Sequence, residues 1–240
     1  MIRGGMMMAD YRILLFDIDG TVLDFLAAEK AAIKTLFVRY GFGECTDENV
    51  ALYSRINVKY WEALERNEMT KPQILVGRFR EFFREMGLPA EKAEDFNSDY
   101  QIALGDTIVF RDHAYELLNT LKGKYTLCAV TNGTKTAQSK KLAASGLDKV
   151  FDHIFISEDI GAEKPNIAFF DHVFARLGDA DRSQMLIIGD SLTSDIRGGL
   201  NAGIDTCWYA ADHEGEDPGL RITYRIRDLR ELNDILGCNA

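Results

Sequence analysis

Short apolar runs recur along this chain, each ending at a polar cluster and most of them followed by a segment long enough for a helix. The runs lie at residues 12–16, 125–130, 153–156, 185–188 and 206–209, with a weaker one at 222–226. The first five runs are this short and carry no regular polar alternation, which suits strands covered on both faces, as in a parallel sheet. Helix-length segments at 114–121, 136–144, 167–177 and 194–202 lie between them. Strand-helix alternation of this kind predicts an α/β fold with a doubly wound, Rossmann-like parallel-sheet core.

From about residue 24 to 104 the alternation stops, and the sequence reads as about four successive amphipathic helices. Leu75, Phe79, Phe82 and Met86 recur at helical spacing, and Thr70 with Gln73 forms a capping-box start. Gly41-Phe42-Gly43 and Gly87-Leu88-Pro89 punctuate the helices. The expected organisation is a core of residues 1–23 and 105–240 with a helical subdomain, 24–104, inserted after the first strand. In such sheets the carboxyl ends of the strands are where ligands bind, so an insertion there is expected to stand over the site.

Composition narrows the function. With 46% hydrophobic and 28% charged residues in 240, the chain can bury an ordinary core without staples. A formal charge of -10 argues against a broad basic surface for polymeric nucleic acid, yet a small anionic substrate needs only a local positive patch or a divalent cation. Cys45, Cys128, Cys207 and Cys238 are far apart and read as reduced thiols. The opening Met1-Ile2-Arg3-Gly4-Gly5-Met6-Met7-Met8 is too short for a secretory apolar region, and no run of 18 apolar residues exists, so a cytoplasmic protein off the membrane is expected. Phosphate-loop, dinucleotide-fingerprint and His-Glu-x-x-His patterns are absent.

Paired acids stand at two of the strand ends. Phe16-Asp17-Ile18-Asp19-Gly20-Thr21 closes an apolar run with carboxylates two positions apart and then a glycine. Strand alternation would direct both acids to one side, and glycine lets the chain turn at once. A lone aspartate there reads as an Asx turn, but two crowded carboxylates call for a cation between them or a proton on one. Gly189-Asp190-Ser191-Leu192-Thr193-Ser194-Asp195 repeats the pattern, making Asp190 and Asp195 candidate oxygen ligands for a hard cation, with Asp195 equally suited to opening the next helix. Val130-Thr131-Asn132-Gly133 offers a hydroxyl and backbone amides to a phosphate, or forms a plain turn. Lys164-Pro165 follows the acidic loop 158–163; most lysines are solvated, but one just before a Pro-started helix can meet an anion at the sheet's edge.

In this order, each at a strand end, the four elements resemble the haloacid dehalogenase (HAD) superfamily of phosphotransferases over essentially residues 12–236, and the helical insertion matches that superfamily's first cap type. The resemblance implies that Asp17 attacks phosphorus to form an aspartyl-phosphate and that Asp19 serves as general acid and then general base. It implies that Thr131, the Asn132 amide and Lys164 hold the phosphate. A magnesium ion is implied on Asp17, the Asp19 carbonyl, Asp190 and Asp195, the last directly, through water, or by orienting Lys164 instead. The second acid, Asp19, departs from the dehalogenating, phosphonate-cleaving and ion-pump branches and points to phosphate monoesters. Residues 157–166 and 194–204, Thr206-Cys207-Trp208, Tyr60-Trp61 and Gly77-Arg78-Phe79 are similar to the noncanonical pyrimidine nucleotidase branch. That implies a small phosphorylated metabolite, a nucleoside 5'-monophosphate, with selection by Asn57, Lys59, Tyr60, Trp61 and Arg78, of which Tyr60 and Trp61 equally suit the insertion's core. The alternatives are a sugar-phosphate or phosphoglycolate phosphatase, a β-phosphoglucomutase-like phosphotransferase, and a non-catalytic phosphate-ligand sensor.

Overall fold

The computed structural model describes residues 10–178, 180–212 and 219–237. Cys238 and the opening methionine-rich stretch fall outside them. All six expected strands form: β1 (Ile13–Phe16), β2 (Thr126–Thr131), β3 (His153–Ile156), β4 (Met185–Gly189), β5 (Asp205–Tyr209) and β6 (Tyr224–Ile226). They make one parallel sheet in the order β3-β2-β1-β4-β5-β6, with Phe16 registered between Ala129 and Ile188. β1 and β4 are buried along their whole length, which is why their sequences carry no polar alternation. The order turns back between β1 and β4, and that reversal opens a crevice at their carboxyl ends.

The helices are α1 (Phe25–Arg39), α2 (Asp47–Glu65), α3 (Lys71–Glu85), α4 (Ala93–Ala103), α5 (Ala114–Leu121), α6 (Lys135–Ser145), the single turn α7 (Ser157–Ile160), α8 (Ile167–Leu177), α9 (Arg197–Ala202) and the short α10 (Leu232–Ile235). Where the sequence reads one helix over 194–202, the chain instead makes a π-helical turn, Leu192–Ile196, and only then α9. Apolar periodicity does not distinguish a wide turn from an α-turn, and such turns gather at functional sites.

Contacts divide the chain into two compact units. One holds the described residues up to Leu23, Phe110–Asn132 and those from Leu147 on. The other holds Asp24–Val109 together with Gly133–Gly146. Residues 105–109 and α6 therefore group with the helical insertion, although the alternation pattern puts both in the core. The reason is side-chain contact: Ala137 joins the insertion's apolar cluster, Thr134 donates to Gln101 at 2.7 Å and Lys140 reaches the Ile102 carbonyl at 3.0 Å. Alternation reports connectivity, not which neighbours a helix buries itself against.

The sheet unit is cored by Ile13, Leu15, Val130, Phe169, Phe170 and Ile187. The helical unit is cored by Phe37, Phe79, Phe82, Phe83 and Phe96, packed with ring centroids 5.0–6.2 Å apart. Its helices start where the sequence signals: the Asp24 carboxylate accepts from Ala27 N–H at 3.0 Å, and Gln73 accepts from Thr70 N–H at 2.8 Å.

Candidate active site

β1 delivers Asp17 as one further rung of the sheet, its N–H donating to the Ile188 carbonyl at 2.9 Å. The chain then turns sharply. Gly20 adopts φ +100°, a conformation open to glycine, and a Cβ there would stand 2.6 Å from an Asp190 carboxylate oxygen. Thr21 is buried and fixes Asp190 twice, donating to Oδ1 and accepting from the Asp190 N–H, both at 3.0 Å. The Trp208 indole N–H donates to the Asp190 carbonyl at 2.9 Å. Asp19 is half-buried and its backbone pairs with Leu23 within the turn.

Lys164 enters from the loop after β3 and is buried to 1% exposure. Its ammonium donates to Asp17 Oδ1 at 2.8 Å, to the Val130 carbonyl at 2.7 Å and to Asp195 Oδ1 at 2.6 Å. Those acceptors match the three protons of a lysine ammonium. Burial alone would lower the Lys164 pKa, but the charges of Asp17 and Asp195 override it and hold the group protonated. Asp195, in the π-turn, also accepts from Ser191 N–H at 3.1 Å through its other oxygen, and a Cβ on Gly189 would collide with it.

Asp17, Asp190 and Asp195 can each turn a carboxylate oxygen to within 4.8 Å of the others. Burial is the main force pushing the Asp17 carboxyl well above the usual aspartate range; Lys164 pulls it down, while Asp195 and Asp190 push it up. Burial, then Asp195, likewise push Asp190 up to about 7, against the Thr21 hydroxyl, which lowers it. Asp17 Oδ2 is buried and has no hydrogen-bond partner among the described residues. A clustered set of hard oxygen donors with one orphaned buried oxygen fits an oxygen-loving divalent cation such as magnesium.

Thr131 ends β2, buried, and Asn132 follows it. The sheet unit thus brings together Asp17, Asp19, Thr131, Asn132, Lys164, Asp190 and Asp195 at the ends of β1, β2 and β4 and in the loop after β3. Thr21, which fixes Asp190, and Ser194, whose hydroxyl accepts from the Asn132 carboxamide at 3.2 Å, stand inside the sequence motifs with no role assigned from sequence; hydroxyls bonded to a neighbouring side chain leave no periodic signal.

The five selection candidates all lie in the helical unit. Asn57 and Arg78 are buried, with exposures of 3% and 2%. Arg78 donates to Asn57 at 2.6 Å, to Asn97 at 3.3 Å and to the Leu75 carbonyl at 3.3 Å, while Asn57 donates to the buried Glu29 at 2.9 Å. Lys59 donates to Glu81 at 2.7 Å. Tyr60 lies against Gly77, where a Cβ would approach its ring to 2.7 Å, and Trp61 is half-buried.

Among the described residues no helix is long and apolar enough to cross a membrane. Comparison with known proteins agrees with the geometry. A family model described as haloacid dehalogenase-like hydrolase matches residues 14–209. The pyrimidine 5'-nucleotidase PynA of Streptococcus pneumoniae is 36% identical over 95% of this chain and 96% of its own, and the pyrimidine 5'-nucleotidase YjjG of Escherichia coli is 31% identical over 93% and 96%. The HAD-hydrolase YfnB of Bacillus subtilis is 41% identical over 95% of this chain and 97% of its own. Its magnesium-bound crystal structure superimposes with a TM-score of 0.87 at 40% identity, covering 94% of this chain and 98% of that one. The chain belongs to the haloacid dehalogenase-like hydrolase family.

Proposed function

We propose that this enzyme is a magnesium-dependent phosphomonoesterase that forms an aspartyl-phosphate on Asp17 and acts on nucleoside 5'-monophosphates, pyrimidines preferred. The observation that carries the chemistry is the Asp17 carboxylate. One oxygen is held by Lys164 at 2.8 Å, and the other is buried without a hydrogen bond beside two further carboxylates. Asp17, Asp190 and Asp195 would hold the cation with the Asp19 carbonyl, and the cation would offset repulsion between the anionic nucleophile and an anionic ester.

Asp17 attacks phosphorus in line, so that a new P–O bond forms as the bond to the leaving alkoxide breaks. Asp19 gives the alkoxide its proton. It then takes a proton from water as that water attacks the acyl-phosphate, freeing phosphate and restoring Asp17. Lys164 keeps Asp17 in one orientation through both steps. Thr131 and the Asn132 backbone amide are the donors for the equatorial oxygens, where charge gathers in a loose transition state.

The nucleotide reading rests on two relatives that share roughly a third of their residues with this chain over nearly its full length. Selection then falls to the helical unit, where Tyr60 and Trp61 are the half-buried aromatic side chains next to each other on α2. A panel of phosphate esters assayed with magnesium and with excess EDTA tests both levels. Uridine and thymidine monophosphates are expected to exceed hexose phosphates and phosphoglycolate in kcat/KM, and EDTA to abolish turnover. Asp17→Asn is expected to keep its fold and lose activity by at least about 100-fold, the scale of removing a covalent nucleophile. Residual activity above that level ends the nucleophile assignment, and a preference for hexose phosphates ends the nucleotide one. Trp61→Ala is expected to raise KM for nucleotides more than for p-nitrophenyl phosphate; an equal rise removes Trp61 from base recognition.

A further inference from the structure

Lys164 poses a placement problem. Its side chain is long and flexible, yet its ammonium must meet Asp17, Val130 and Asp195 at once, groups that come from three different parts of the sheet unit. Holding a lysine in one rotamer gives up much of its side-chain entropy, so the root of the side chain must itself be fixed. Lys164 belongs to neither a helix nor a strand, and lies between α7 and α8. No regular ladder supplies partners for its backbone N–H and carbonyl, and in a residue 1% exposed those groups need them.

The Asn132 carboxamide supplies both. Its Oδ1 accepts from the Lys164 N–H at 2.8 Å, and its Nδ2 donates to the Lys164 carbonyl at 2.8 Å. The same Nδ2 lies 3.2 Å from Ser194 Oγ, in the π-turn that carries Asp195. One side chain thus closes a two-bond ring on the lysine backbone and ties it to the turn bearing one of its acceptors. Only an amide does this. An aspartate has the acceptor but no donor, and a serine is too short to meet both groups.

We infer that the Asn132 side chain is a positioning residue, acting on the reaction through Lys164 and not by contact with the phosphate. Its role is to fix the backbone from which Lys164 reaches the nucleophile. The kinetic arm of the test rests on the phosphomonoesterase reading; a structural arm does not.

In the kinetic arm, Asn132→Ala, Lys164→Ala and the double variant are compared on p-nitrophenyl phosphate, with Asn132→Asp as a second replacement that keeps the side-chain volume. Folding of each is checked by thermal unfolding. Asn132→Ala and Asn132→Asp are each expected to lower kcat/KM by about 100-fold, the scale of misplacing a catalytic group by an ångström. In the Lys164→Ala background, either is expected to cost less than about threefold more, because a group acting through Lys164 has nothing left to act on. Losses that multiply would mean direct contact with substrate and overturn the inference. In the structural arm, crystal structures of Asn132→Asp and wild type are compared without substrate. The Lys164 ammonium is expected to have left at least one of Asp17, Val130 and Asp195. An ammonium still bonded to all three overturns the inference whether or not the wild type hydrolyses phosphate esters. Absence of wild-type turnover, by contrast, would remove the proposed function and leave the clamp to be decided by the structures.

Discussion

Much of the site depends on residues that do no chemistry. Gly20 turns the chain between Asp19 and Thr21, and its lack of a side chain leaves room for the Asp190 carboxylate. Gly20→Ala would place a Cβ 2.6 Å from Asp190 Oδ2 at a backbone φ of +100°, so it strains the turn and displaces a candidate cation ligand together. The variant is expected to lose about 1–3 kcal/mol in urea unfolding, the range of a backbone outlier, and roughly tenfold or more in magnesium-dependent turnover. A variant with wild-type activity at the wild-type magnesium midpoint would show that Asp190 can move without consequence. Thr21 makes the complementary contribution from the other side, holding Asp190 through a hydroxyl that both donates and accepts.

At the scale of elements, the helical unit is joined by a chain of buried and half-buried polar groups. It runs from Glu29 on α1 through Ser54 and Asn57 on α2 to Arg78 on α3, then through Asn97 and Gln101 on α4 to Thr134, which caps α6. Burial pushes the Glu29 carboxyl up, and the hydrogen bonds from Ser54 and Asn57 and the field of Arg78 pull it down. Arg78 also lies over the Phe79 and Tyr100 rings at 5.2 and 5.3 Å. Such a network stabilises only when complete; removing one charged member leaves the others buried and unmatched. Arg78→Ala is therefore expected to destabilise the protein by about 3–5 kcal/mol in denaturant unfolding, the scale of leaving a buried charge, here the Glu29 carboxylate, without its compensating one. A loss under about 1 kcal/mol, typical of a solvated pair, would mean that the guanidinium is not held as the structure has it. Asn57 and Arg78, suggested by the sequence as groups for substrate selection, have their polar atoms bonded within this network.

For the molecule as a whole, Asp17 and Asp190 link cation binding to pH. Asp190 is pushed up to about 7 by burial and by Asp195, and Asp17 moves in the same direction. An aspartate in the unfolded chain ionises near pH 4, so between about pH 4 and 7 the cation-free native state keeps a proton that the unfolded state has lost. Stability then falls as pH rises through that window. A divalent cation binds the ionised carboxylates and so competes with that proton. Magnesium is accordingly expected to raise the melting temperature more at about pH 8 than at about pH 5, measured against EDTA controls. Equal shifts at both pH values would mean that Asp17 and Asp190 are ionised without the cation.

Short apolar runs with no polar alternation can be strands only if both faces are covered, so the parallel sheet and its boundaries to within a residue or two were legible in the sequence, as was the family whose model matches residues 14–209. The motifs were legible because turn-forming glycines and strand-ending acids are local signals. Nothing local says that Lys164 lies 2.8 Å from an aspartate 147 positions away, that Asn132 holds that lysine by its backbone, or that α6 packs with the helical unit. Local periodicity indicates where strands and most helices form, but not the π-turn that carries Asp195. Which distant side chains then meet is decided by the strand order β3-β2-β1-β4-β5-β6, and that order is a property of the packed sheet.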